Sequence, residues 1–146
     1  MNFEEHAGKA LLRAAGIATP PGELAHNLAD VARIAAKIGP CVVKAQVPTG
    51  KRGKAGGIKL ANTPEEAQAA AAAILKLTIG EHRVERLLIE AQVPIAHELY
   101  AAVLNDAASK GPLLLFSAEG GMDIEELAVE RPDALIKIPE IGRAHV

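Results

Sequence analysis

Tryptophan is absent from this 146-residue chain, and its large aromatics are two phenylalanines and one tyrosine: Phe3, Phe116 and Tyr100. A protein that grips single-stranded nucleic acid stacks bases on aromatic rings, so that class loses its main instrument. Cysteine occurs once, at Cys41, which excludes an internal disulfide and a thiolate metal site and fits a reducing compartment. Its neighbours Val42 and Val43 favour buried packing over reactivity. No apolar run approaches the ~18 residues of a membrane span, so no membrane partner is expected. The opening MNFEEHAGK is acidic where a secretory leader is basic, which leads to the expectation of a cytoplasmic protein.

Acidic residues are missing from one long interval. Between Asp30 and Glu65 stand seven basic side chains and no carboxylate, although the whole chain has a formal charge of -2. The seven are Arg33, Lys37, Lys44, Lys51, Arg52, Lys54 and Lys59. The rest of the chain is therefore strongly acidic and would repel a nucleic-acid duplex, so no nucleic-acid partner is expected.

Nearly half the residues are hydrophobic and 29 are alanine, so one aliphatic core of Leu, Ile, Val and Ala is expected. Residues 3–15 read as a helix with Leu11 and Leu12 on its apolar side and Gly16 as its stop. The Pro20-Pro21 pair forces a turn or an extended segment. Asn27 caps a second helix, which presents Leu28, Val31, Ile34, Ala35 and Ile38 at helical spacing and ends at Gly39. Residues 41–47 read as a strand, 48–57 as a glycine-rich loop and 58–61 as a short return strand. Thr63-Pro64-Glu65-Glu66 opens a third helix: capping hydroxyl, proline in the first turn, two acids at the positive end. Residues 84–93, 98–105 and 113–117 read as further strands, and 107–112 as a turn. A helix is expected from Asp123 to near Pro132, then an extended piece over 135–138. The sum is a mixed α/β (α+β) architecture.

The sequence VVKAQVPTGKRGKAGGIKL, residues 42–60, has the chemistry of a phosphate cradle. Glycines permit close backbone approach, amides point at anionic oxygens, and Lys and Arg neutralise charge. It contains neither a Walker A pattern nor Gly-x-Gly-x-x-Gly, which leaves a hairpin whose loop closes over phosphate. Lys44 lies inside an apolar strand, where it needs a partner. That partner is either a bound phosphate or a strand carboxylate such as Glu90 or Glu98. In LLIEAQVPIAHELY, residues 87–100, Glu90 and Glu98 bracket Pro94, and the two carboxylates suit an adenine amino group and ribose hydroxyls. Glu119-Gly120-Gly121 precedes the last helix and reads as a plain cap. The five histidines show no metal-ligand spacing, and no metal site is expected within the chain.

These residues in this order resemble the N-terminal half of the β subunit of succinyl-CoA synthetase and its relatives, the ADP-forming acid–CoA ligases. The likeness runs over residues 1–137 and is strongest in VVKAQVPTGKRGKAGGIKL, IEAQVPIAHELY and EGGMDIEE. It implies most of an ATP-grasp domain, in which Lys44 contacts ATP phosphate and Lys51, Arg52 and Gly53 belong to the covering loop. Glu90 and Val93 then match the adenine hinge, and Glu98 the position near the ribose. The resemblance also implies an α subunit that carries a phosphorylated histidine, with a small carboxylic acid and CoA as further substrates. The Mg²⁺ ligands and the acid and CoA domain are expected beyond residue 146.

Two departures point to a paralogous acid–CoA ligase. Lys51 stands where the family has a glycine, and the pattern His-Glu-Tyr-Gln-Ala-Lys is only partly kept in Glu4-Glu5-His6-Ala7-Gly8-Lys9. The last six residues, 141–146, resemble the translation of a sequencing adapter ending at a stop. The expected organisation is therefore a partial ATP-grasp domain over 1–140 with a non-native tail. On the residues alone, a carboxylate–amine ligase of the same fold and a non-catalytic anion-binding module are the alternatives.

Overall fold

The computed structural model describes residues 3–107, 110–121 and 124–139. The chain divides into two compact units, Met1–Val93 and Pro94–Val146.

The first unit begins with helix α1 (Glu5–Ala14) and strand β1 (Gly22–Ala25), followed by α2 (Leu28–Ile38), β2 (Cys41–Gln46), β3 (Ile58–Ala61) and α3 (Pro64–Ile74). A small hairpin of β4 (Thr78–Ile79) and β5 (His82–Arg83) leads into β6 (Arg86–Ala91). The caps are those expected. The Asn27 side chain accepts from the amide of Asp30, and that of Thr63 from the amide of Glu66. Strands β1, β6, β2 and β3 form one sheet in that order, every pairing antiparallel.

Strand alternation sorts the sheet into two faces. On one, Cys41, Val43 and Ala45 of β2 and Leu87 and Ile89 of β6 are buried with Val31, Ile34 and Ala35 of α2 and Ala67, Ala71 and Ile74 of α3. Alanine lets α3 lie close to the sheet, and the aliphatic side chains fill the space between. Burial pushes the Cys41 thiol up, in keeping with a packing role. On the other face, Lys44, Gln46, Leu88 and Glu90 point toward α1.

Helix α1 departs from expectation. Its two leucines remain exposed, and no residue of the helix is buried. Glu5 and Lys9, at i and i+4, reach Lys44 and Glu90 of the sheet, and Arg13 one turn further donates to Thr19 Oγ1 at 2.8 Å. The helix is held by charge and hydrogen bonds, not by an apolar seam.

Two elements escaped the sequence. β1 is four residues long, GELA, without a β-branched side chain, and it exists because β6 offers it an edge. The β4–β5 hairpin is too short for any periodicity to register.

The second unit is an antiparallel meander of β7 (Tyr100–Asp106), β8 (Gly111–Ser117) and β9 (Ile136–Pro139), with α4 (Ile124–Glu130) between the last two. The expected start of that helix at Asp123 lies outside the described residues, as do residues 141–146. β8 begins inside the segment read as a turn, since Gly111 and Pro112 pair with Asp106 and Asn105.

Candidate functional site

Lys44 is the centre of the polar face. Its Nζ donates to Glu5 Oε1 at 3.0 Å and to Glu90 Oε2 at 2.5 Å. The second contact follows from register: Lys44 pairs with Leu88 and Val42 with Glu90, so Lys44 and Glu90 are diagonal neighbours on one face. Glu90 is 3% exposed, and its other oxygen receives Lys9 Nζ. The expectation of a strand carboxylate partner for Lys44 is therefore met by Glu90, and Glu5 joins it from α1.

Arg52 reaches the same cluster from the loop. Its Nη1 donates to the carbonyl of Ala45 at 3.0 Å, and its Nη2 to Glu5 Oε2 at 2.9 Å. The loop is folded back on the sheet by further backbone bonds, Gly57 amide to Arg52 carbonyl at 2.8 Å and Ala45 amide to Gly57 carbonyl at 2.7 Å. A Cβ on Gly57 would lie 2.7 Å from Ile79 Cδ1, 3.1 Å from the Arg52 carbonyl oxygen and 3.2 Å from Ala45 Cβ, so a side chain there would make several neighbours shift. Gly53 is different: a Cβ would meet nothing nearer than Ile58 Cδ1 at 4.0 Å. Lys51 has φ of 60°, a left-handed conformation that costs a non-glycine residue about 1–2 kcal/mol. Its backbone thus adopts the conformation suited to the glycine that the resembling family carries at that position.

Three cations, Lys9, Lys44 and Arg52, meet two carboxylates, Glu5 and Glu90. Burial opposes ionisation of Glu5. The Lys44 hydrogen bond and the charges of Lys44, Arg52 and Lys9 outweigh it and hold its pKa at about 2. Burial and the neighbouring Lys44 push the Lys9 ammonium down, against the pull of Glu5. The cluster carries one positive charge in excess, in a partly desolvated place suited to receive an anion.

Gln46 stitches the start of α1 to β2. Its Oε1 accepts from the His6 amide at 3.0 Å, and its Nε2 donates to the carbonyl of Ala45 at 3.0 Å. After β6, the Gln92 side chain donates to the carbonyls of Cys41 and Ala61 at 3.1 and 3.2 Å, fixing the exit of that strand. Val93, the last residue of the first unit, is half exposed.

Glu98 belongs to the second unit and is set by Gly120. The Gly120 amide donates to the Glu98 carbonyl at 2.9 Å, and a Cβ on Gly120 would lie 2.6 Å from that carbonyl carbon. The Gly120-Gly121 pair therefore serves to seat the chain around Glu98.

Of the seven basic residues, two are committed elsewhere. Arg33 and Lys37 both pair with Glu23, at 3.1 and 2.6 Å. Lys59 is exposed on β3, an edge strand, where lysine discourages strand addition. Glu5 and Lys9 are the residues that charge counting missed. The available signal was in α1: an i, i+4 acid–base pair that keeps the Glu and Lys of the family's N-terminal pattern.

Residues 2–142 match the ATP-grasp domain family. The chain belongs to that family. It is 49% identical over 139 residues to the succinate–CoA ligase [ADP-forming] subunit beta of Rubrobacter xylanophilus, covering 94% of this chain and 36% of that protein. The GDP-forming β subunit of Thermus thermophilus is 46% identical over 138 residues, covering 94% of this chain and 36% of its own length. The chain thus spans little more than a third of these curated relatives. Among solved structures, the dinucleotide forming acetyl-coenzyme A synthetase 1 of Ca. Korarchaeum cryptofilum superposes with a TM-score of 0.70 at 25% identity, over 80% of this chain and 53% of that one. A Pyrococcus horikoshii protein shares the fold with a TM-score of 0.77 at 22% identity, over 94% and 59%. The mixed α/β ATP-grasp architecture expected from the sequence is the one observed.

Among the described residues no helix is long and apolar enough to cross a membrane, and no three His, Cys, Asp or Glu side chains converge to hold a metal ion.

Proposed function

We propose that this chain is the ATP-binding portion of the β subunit of an ADP-forming acid–CoA ligase, a cytoplasmic enzyme. The observation that carries the proposal is the meeting of Lys44, Arg52 and Glu90 on one polar sheet face, in a chain this similar to succinate–CoA ligase β subunits. Lys44 supplies charge from a strand, Lys51 and Arg52 supply it from the glycine-rich loop, and Gly53 lets the backbone of that loop approach the phosphates. Glu90 and Val93 line the adenine hinge, and Glu98 serves the ribose. In this reading residues 1–140 constitute part of the ATP-grasp domain.

In the complete enzyme, the γ-phosphoryl group passes from ATP to a histidine of the α subunit, then to a small carboxylic acid. CoA thiolate displaces phosphate from the resulting acyl phosphate and leaves a thioester. This chain's part is electrostatic: it orients the phosphates and neutralises charge as it redistributes during transfer.

Calorimetric titration with ATP, ADP and adenosine tests the reading. ATP and ADP should bind and adenosine bind more weakly, while heparin or polyphosphate should show no advantage over ATP. Preference for generic polyanions with a steep salt dependence would instead identify an anion-binding module.

A further inference from the structure

We infer that the Glu5 carboxylate occupies the subsite of a nucleotide phosphate and is the anion that this phosphate displaces. The inference rests on the proposed ATP role and adds to it a named resident competitor. One oxygen of Glu5 accepts from Lys44 Nζ at 3.0 Å, and the other from Arg52 Nη2 at 2.9 Å. Those are the strand lysine and the loop arginine assigned to phosphate. Lys9 Nζ stands 3.2 Å from the same carboxylate, so three cations converge on one two-oxygen anion. A phosphate that touched both Lys44 and Arg52 would need the space and the hydrogen-bond directions that Glu5 now uses. If Glu5 stayed, it would face the phosphate as a like charge.

Its partner carboxylate has a different place. Glu90 is buried and engages Lys44 and Lys9 through separate oxygens, so it can keep Lys44 aligned after Glu5 withdraws. Glu5 sits on a helix with no buried residue, whose register depends on polar contacts. Its side chain is 21% exposed, against 4% for Glu90. It also lines an open groove of about 680 Å³ together with Phe3, Val47, Pro48, Thr49, Gly50 and Arg52, so a phosphate has a route to it from solvent. The depressed pKa of Glu5 shows how strongly the cations hold an anion there. When phosphate replaces it, the Arg52 Nη2 bond passes from Glu5 on α1 to the phosphate, while Nη1 keeps the carbonyl of Ala45.

The direction of the mutational effect separates this role from a structural one. Loss of a merely structural ion pair would loosen Lys44 and weaken every ligand. Removal of a competitor strengthens ligands that carry phosphate and leaves adenosine alone. Glu5→Gln in the full chain should bind ATP and inorganic pyrophosphate about ten-fold more tightly, the scale of one charged hydrogen bond no longer contested. Adenosine affinity should stay the same. Glu5→Asp keeps the charge but withdraws it by one methylene; it should show a smaller gain and provides a second readout if the glutamine variant folds poorly. Equal or weaker pyrophosphate binding in a folded variant would overturn the displacement. If neither parent nor variants bind ATP, the ATP reading itself fails, and the subsite with it. If the parent binds ATP and Lys44→Ala weakens that binding while Glu5 variants show no gain, the ATP reading survives and the Glu5 inference alone is lost.

Discussion

The two faces of the four-stranded sheet are built from the same strands and by different physics. Under α2 and α3 the strands present Cys41, Val43, Ala45, Leu87 and Ile89, and all are buried among aliphatic side chains. Under α1 the intervening positions present Lys44, Gln46 and Glu90, and the helix above them answers with Glu5, His6 and Lys9. The first face has stability without directional chemistry. The second has directional chemistry that gives little net stability, because ion pairs must repay their own desolvation. The stability of the unit and its ligand recognition are therefore separable by mutation, one face at a time.

The largest effect should come from the apolar face. Ile74 of α3 is fully buried in the core. Truncating it to alanine should cost about 2–5 kcal/mol of unfolding free energy. Because the polar face is untouched, ATP affinity per folded molecule should not change. Denaturant unfolding combined with titration below the transition checks both halves, and a matching loss of affinity would show that the faces are coupled.

Lys44→Ala is the complementary test. ATP affinity should fall about 10- to 100-fold, corresponding to about 1.5–3 kcal/mol for hydrogen bonds to a charged group. Unchanged ATP affinity would remove Lys44 from the proposed site. Adenosine serves as the control, since its binding does not call on a phosphate contact.

Acid should attack the polar face first. The Glu5 pKa in the folded protein, about 2, lies below its ordinary 4.5, so the folded state binds fewer protons there than the unfolded chain. Stability from this group is complete above about pH 4.5 and declines as the pH falls toward 2. Its partial exposure limits the contribution to on the order of 1–2 kcal/mol. Urea titrations at pH 5 and pH 3 should show the loss in the parent and a smaller one in Glu5→Gln. Equal slopes in the two proteins would mean that the cations do not hold Glu5 charged.

The contrast between the faces also explains how far the sequence could be read. Helical spacing in α2, the Thr63 cap of α3 and the apolar character of β2 belong to local patterns, and each predicted its element. The polar face depends on contacts between distant segments: Lys44 meets Glu5 across 39 positions and Glu90 across 46. Lys44 was conspicuous because a lysine in an apolar strand must have a partner. Glu5 was not, because an acid in a first turn already has a sufficient local reason to be there. The leucines of α1 misled for the opposite reason, since they suggest an apolar seam where the helix meets the sheet through charge. Strand β1 left no local trace and owes its existence to the edge of β6.

The smallest effect separates backbone from charge in the loop. Lys51 carries φ of 60°, which favours glycine, yet it also places a cation in the proposed phosphate loop. Lys51→Gly and Lys51→Ala both remove that cation, but only glycine relieves the left-handed strain. Relief of about 1–2 kcal/mol is opposed by about 0.4–1 kcal/mol of added entropy in the unfolded chain. The glycine variant should therefore be more stable than the alanine variant by up to about 1.6 kcal/mol. ATP affinity should fall equally in both, and the deficit should shrink as salt screens the lost charge. Equal stability of the two variants would show that residue 51 does not hold a left-handed backbone in solution. A lower ATP affinity in the alanine variant alone would show that the bend of the loop at residue 51, and not its charge, sets how the loop meets phosphate.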